Sequence, residues 1–241
     1  MGAAATVPKE NKYAAVPVSV DELLRVVQTG DLLFFRGNSW QSMLERLFIW
    51  CSYSHVGMVE WRVLPGHTVA TACLWESVGH LDAHTCVLHG RRKTGVRLVR
   101  LADKLADYIA GNAWRETHVC LVQLHARNDA ARADMTARMT AFIDQVCGCD
   151  YSTHAIDIMR SQFPSMLGSA TPASAVAGYT CNQLATATLV RMHAYSSATP
   201  AAQITLAGLM DGALLAQWQD KGALDQINYH YTVRPNGALD V

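Results

Sequence analysis

Residues 54–59 read SHVGMV, an apolar run with a histidine near its head, and the run continues as EWRV to residue 63. Branched and aromatic side chains packed into so short a segment favour a strand whose body lies in the core. His55 then stands at the mouth of that strand, where a polar ring needs a partner. The neighbouring segments organise around it. GDLLFFRG (30–37) reads as a preceding strand closed by a turn at Gly37-Asn38. TVATACLWESV (68–78), GVRLVRL (95–101) and THVCLVQLH (117–125) read as three following strands, which together predict an antiparallel meander.

Helical signals flank these strands. Ser19 and Glu22 have capping-box spacing, so a short helix is expected from about Val20 to Gln28, with Gly30 as its stop. SWQSMLERLFIW (39–50) carries Trp40, Met43, Leu44, Leu47 and Trp50 at helical spacing. Residues 131–146 place Met135, Met139, Phe142, Ile143 and Val146 on one stripe ahead of Gly148. The small-residue stretch SMLGSATPASAVAG (165–178) reads as a mobile loop and a candidate lid. TCNQLATATLVRMHAY (180–195) and TLAGLMDGALLAQWQD (205–220) read as helices, and INYHYTV (227–233) as a final strand.

Half of the 241 residues are apolar, enough for a sizeable core, and residues 19–241 are expected to form a single domain behind a flexible tail of residues 1–18. Twenty basic residues balance twenty acidic ones, which argues against a nucleic-acid partner. Seven scattered cysteines without a secretory leader suggest a reducing, cytoplasmic setting. Charges interrupt every apolar run long enough to span a bilayer. The start MGAAAT fits a myristoylation signal in which Gly2 is the acceptor. One acyl chain with only Lys9 and Lys12 beside it would bind a membrane reversibly.

Thr180 and Gln183 are spaced to cap a helix, which puts Cys181 in its first turn. There the helix dipole favours a thiolate and the free backbone N–H groups suit an oxyanion. A cysteine nucleophile needs a base and a group that orients the base. His55 is the best placed of ten histidines, with Gly57 leaving room beside it. Glu76 ends the apolar face of the next strand, within reach of that ring.

In this order, GDLLFF, SHVGMV, LWESVG, GCDY and YTCNQL resemble the circularly permuted branch of the NlpC/P60 papain-like superfamily, the branch of YiiX-like and poxvirus enzymes. The resemblance spans roughly residues 30–193. It implies an α+β, permuted papain-like fold, with an antiparallel sheet packed on the helix that carries the nucleophile. It also implies Cys181 as nucleophile, His55 as base and Glu76 as the residue orienting the histidine. Asn182-Gln183 stand where many relatives carry Ser-Glu or Ala-Glu.

The expected activity is a cysteine hydrolase that cleaves a peptide-like or isopeptide-like amide through a thioester. The alternatives are a lipid thioesterase or acyltransferase of the same fold, and a non-catalytic lipid- or peptide-binding module. Tyr179 and Asn182 are candidates for the pocket or the oxyanion site. No cofactor is expected. His80, Asp82, His84, Cys86 and His89 crowd one polar segment, but without a helical stripe or a His-Glu-x-x-His motif they read as a solvated loop and not as a metal site.

Overall fold

The computed structural model describes residues 16–36, 53–111, 117–126, 128–152, 178–194, 206–211 and 224–234. Gly2, Cys51, the Gly37-Asn38 turn, the expected helix at 39–50, most of the small-residue loop and the end of the 205–220 helix lie outside them.

Eleven strands occur among these residues: β1 (Val16–Ser19), β2 (Leu32–Phe35), β3 (His55–Val63), β4 (Ala70–Val78), β5 (Thr85–Cys86), β6 (Arg91–Arg92), β7 (Gly95–Arg100), β8 (Thr117–Ala126), β9 (Asp150–Tyr151), β10 (Gly178–Tyr179) and β11 (Leu224–Arg234). The helices are α1 (Val20–Val26), α2 (Leu101–Gly111), α3 (Asp129–Val146), α4 (Cys181–Arg191) and α5 (Leu206–Asp211).

Seven strands form one sheet in the order β1-β11-β8-β2-β3-β4-β7. It is antiparallel except for the edge pair β1–β11. This is a mixed α+β architecture. The meander expected from sequence holds for β3, β4 and β7 but not for β8, which pairs with β2 on the far side. The reason is α2, which starts at the residue after β7 and separates it from β8. Leu101 and Leu105 of this helix pack beneath the sheet.

Helices cover both faces. On one, Leu23 of α1 and Leu105 of α2 pack on Leu33, Val59, Leu74 and Leu121. On the other, the expected stripe of α3 and Leu184 and Leu189 of α4 pack on Leu32, Phe34, Met58, Trp75 and Val122. Burial on both sides explains why LLFF is uniformly apolar instead of alternating.

The Gly-Asp pair before β2 pins the sheet. Gly30 has φ +97°, a conformation open to glycine, and its N–H donates to the Val59 carbonyl. The Asp31 carboxylate accepts the Gln28 N–H at 2.8 Å and the Leu124 N–H at 3.2 Å, tying the end of α1 to β8. Burial pushes the Asp31 carboxyl up to about 6 despite these bonds. Ser19 and Glu22 make the capping box read from their spacing.

Candidate active site

The β3–β4 ladder runs from Val63–Ala70 to Met58–Trp75 and stops there, so the two strands part before His55 is reached. The imidazole sits at this opening. Its Nε2 lies 2.8 Å from Glu76 Oε2, and the Cys181 side chain stands close enough to the ring to act on its protonation. The three residues singled out in the sequence are thus brought together from β3, β4 and the first turn of α4.

Gly57 serves a different purpose from the one expected. A Cβ there would lie 2.7 Å from Leu74 Cδ1, so the glycine admits Leu74 and not the histidine ring. Phe35, opposite His55 in the β2–β3 register, packs its ring 5.9 Å from the imidazole centroid.

Glu76 is fully buried, and its neighbours were not anticipated from sequence. Register places Arg97 of β7 directly across from it. Oε1 accepts Arg97 Nη2 at 2.7 Å, Arg97 Nε at 3.0 Å and Lys104 Nζ at 3.0 Å, which leaves Oε2 for the histidine. The same two cations hold Asp82: Arg97 Nη1 reaches Oδ1 at 2.6 Å, and Arg97 Nη2 and Lys104 Nζ both contact Oδ2. Burial alone would raise the Glu76 carboxyl, but Lys104, His55 and Arg97 outweigh it and hold the group well below the usual carboxylate range.

His55 feels the complementary field. Burial disfavours its charged form, yet the bonds to Cys181 and Glu76 prevail and push the imidazolium up to about 9. An imidazolium is therefore the resting form at neutral pH.

The polar segment before β7 is not a solvated loop. Asp82 enters the Arg97–Lys104 cluster, His84 is buried with Nε2 3.3 Å from Asp107, and Cys86 is fully buried. His80 joins none of these contacts. Arg97 in GVRLVRL and Lys104 in LADKLADYIAG carried no sequence signal that set them apart from solvent-facing cations.

The helix that begins at Cys181 is anchored by a short parallel bridge. Gly178 and Tyr179 of β10 pair with Asp150 and Tyr151 of β9. The Ser77 hydroxyl, one residue past Glu76, donates to the Tyr179 carbonyl at 2.6 Å. Gln183 reaches back to accept the Thr180 N–H at 2.9 Å, and Thr180 donates its hydroxyl to Asn182 Oδ1 at 2.7 Å. Tyr179 contributes its backbone carbonyl to this bridge, and Asn182 is buried with its carbonyl oxygen turned toward the cap. Farther along α4, Trp75 Nε1 donates to Thr188 Oγ1 at 3.1 Å and locks the helix to the sheet.

This bridge has no room for a side chain at Gly178, where a Cβ would lie 2.5 Å from the Asp150 carbonyl oxygen and 2.9 Å from the Ser152 nitrogen. Gly178→Ala is expected to cost about 1–3 kcal/mol through overpacking. It should also displace Cys181 and slow its modification by electrophiles more than it lowers the melting temperature. Thermal melts beside labelling rates check this, and unchanged labelling would refute it.

No family model matches the chain, and no curated protein matches it. Among solved structures it is similar to the metalloprotein yiiX from Escherichia coli O157:H7. The TM-score is 0.46 at 14% identity, over 83% of this chain and 96% of that one. No helix among the described residues is long and apolar enough to cross a membrane.

Proposed function

We propose that this protein is a cysteine hydrolase of the papain-like type that cleaves an amide bond, peptide or isopeptide in kind, through a thioester on Cys181. The observation that carries the proposal is the chain of contacts from the Cys181 side chain at a helix N-terminus, through His55, to a Glu76 already neutralised by Arg97 and Lys104. A buried carboxylate so paired resists protonation and holds the imidazole in one orientation.

In the reaction, the Cys181 thiolate attacks the carbonyl carbon and the carbonyl oxygen takes the negative charge beside the first N–H groups of α4. As the carbon–nitrogen bond breaks, His55 gives its Nδ1 proton to the departing amine, which leaves neutral, and a thioester remains. Neutral His55 then takes a proton from water, hydroxide adds to the thioester, and the acid departs as the thiolate is released beside the imidazolium. Replacing water by an alcohol or amine acceptor turns the same steps into acyl transfer. Lipid esters and thioesters are therefore the second substrate class. The N-terminal myristoylation signal at Gly2 would bring the enzyme to such substrates by reversible membrane contact.

The pH dependence follows from His55. The leaving group needs the imidazolium, which is present below about 9 and lost above it, so acylation by amide donors should fall as the pH rises through about 9. Intact-mass labelling with thiol electrophiles across pH tests the assignment on the wild type, Cys181→Ala and His55→Ala. Cys181 is expected to react ahead of the other six cysteines at about pH 6, with His55→Ala removing the advantage. Labelling of Cys181 no faster than the rest would favour the binding-module reading instead.

A further inference from the structure

A second cluster of reactive side chains stands apart from the three residues just described. Cys86 Sγ lies 3.6 Å from Cys147 Sγ and 3.7 Å from His89 Nδ1, and Cys147 Sγ lies 3.9 Å from the same nitrogen. These are the separations a metal would impose. With zinc–sulfur bonds of about 2.3 Å and zinc–nitrogen bonds of about 2.0–2.1 Å in a tetrahedron, two sulfurs sit about 3.8 Å apart and sulfur and nitrogen about 3.6 Å apart.

The backbone preassembles the triangle. Cys86 and His89 belong to one tight turn, in which the His89 and Gly90 N–H groups donate to the Cys86 carbonyl. Cys147 caps the C-terminus of α3, donating its N–H to the Ile143 carbonyl. Both turns hang from β7: Val87 donates to the Leu98 carbonyl, Gly148 donates to the Val96 carbonyl, and Val96 donates to the Cys149 carbonyl. A Cβ on Gly148, whose φ is +99°, would come within 3.0 Å of His89 Cε1, so the glycine lets the ring approach.

We propose that Cys86, His89 and Cys147 form a binding site for a thiophilic divalent cation, zinc by its fit. Two thiolates and a neutral imidazole would balance its charge. His89 is exposed, so the fourth position faces solvent and is filled by water. Bound metal would staple the turn before β7 to the end of α3. Three residues beyond Cys147, β9 begins, and β9 holds β10 and with it the approach to Cys181. The ion thus braces the nucleophile's support without entering its chemistry.

The test uses the full chain, reduced and freed of metal, titrated with cobalt(II) and then with zinc in competition. One equivalent of cobalt is expected to give a thiolate charge-transfer band and the intense visible bands of a tetrahedral ion, both erased by zinc. His89→Ala at an exposed position and Cys147→Ser at a half-buried one are expected to weaken binding by at least about a hundredfold. Cys181→Ala should bind as the wild type does, which separates this site from the nucleophile. Absence of the charge-transfer band would overturn the proposal, as would a band lost in Cys181→Ala or kept in the two ligand variants. So would a Cys86–Cys147 disulfide that forms despite saturating zinc, since that would mark a redox pair.

Discussion

Replacing Cys181 with alanine is expected to abolish acyl transfer, by about ten-thousandfold or more, with no loss of fold. The size follows from covalent catalysis: without the sulfur there is no thioester, and His55 and the helix N-terminus retain only weak assistance to water. The fold should survive because Cys181 is only half-buried and α4 is held by Trp75, Leu184 and the Gln183 cap. Cys181→Ser is the sharper control, since it keeps the shape and the bond to His55 but offers a hydroxyl that ionises far less readily than a thiol. Both variants should fail to form an acyl-enzyme with activated acyl donors, read by intact mass. An acyl adduct persisting in Cys181→Ala would move the nucleophile elsewhere.

The second large effect concerns stability. Arg97→Met should destabilise the protein by about 3–5 kcal/mol, because it strips the shared cation from two carboxylates, one of them fully buried. For a chain of this size that is a fall of roughly 10 °C in melting temperature. Arg97→Lys should rescue only in part, since an ammonium has three donors where the guanidinium makes four contacts with Glu76 and Asp82.

Acid offers a second readout. Both carboxyls are held below their ordinary values of 4.5 and 3.8, so their contribution is full above those values and is lost as pH falls. The gap between wild type and Arg97→Met should therefore narrow in acid. A gap independent of pH would mean that packing, not charge, is what Arg97 supplies.

The parts legible in the sequence were those written in local periodicity. β3, β4, β7 and β8 announced themselves because their apolar runs are bounded by turn residues, and the α3 stripe because its spacing is helical. α2 escaped because Leu101 begins a helix immediately after Arg100 ends a strand, with no cap residue between them. Its omission led to the wrong neighbour for β8.

At the site, Cys181, His55 and Glu76 each carried a local oddity: a cysteine behind a cap, a histidine heading an apolar strand, a carboxylate ending one. Arg97 and Lys104 had none, since a cation within a strand or helix reads as solvent-facing until the register sets Glu76 opposite. Cys86 and His89 were set aside in the sequence as part of a solvated loop, because Cys147, the sulfur that stands beside them, lies 61 residues from Cys86.

The placement of β11 bears on how the molecule is made. This strand enters the sheet between β1 and β8, though it is the last strand in sequence among the described residues. His55 and Glu76 are separated by 21 residues and can meet early, whereas α4 follows more than a hundred residues after His55. Pairings of such long range form slowly and late. A ribosome-bound chain that has exposed β3, β4 and β7 would therefore carry His55 and Glu76 without Cys181. Under the proposed function, reactivity would be withheld from the nascent polypeptide until α4 has emerged.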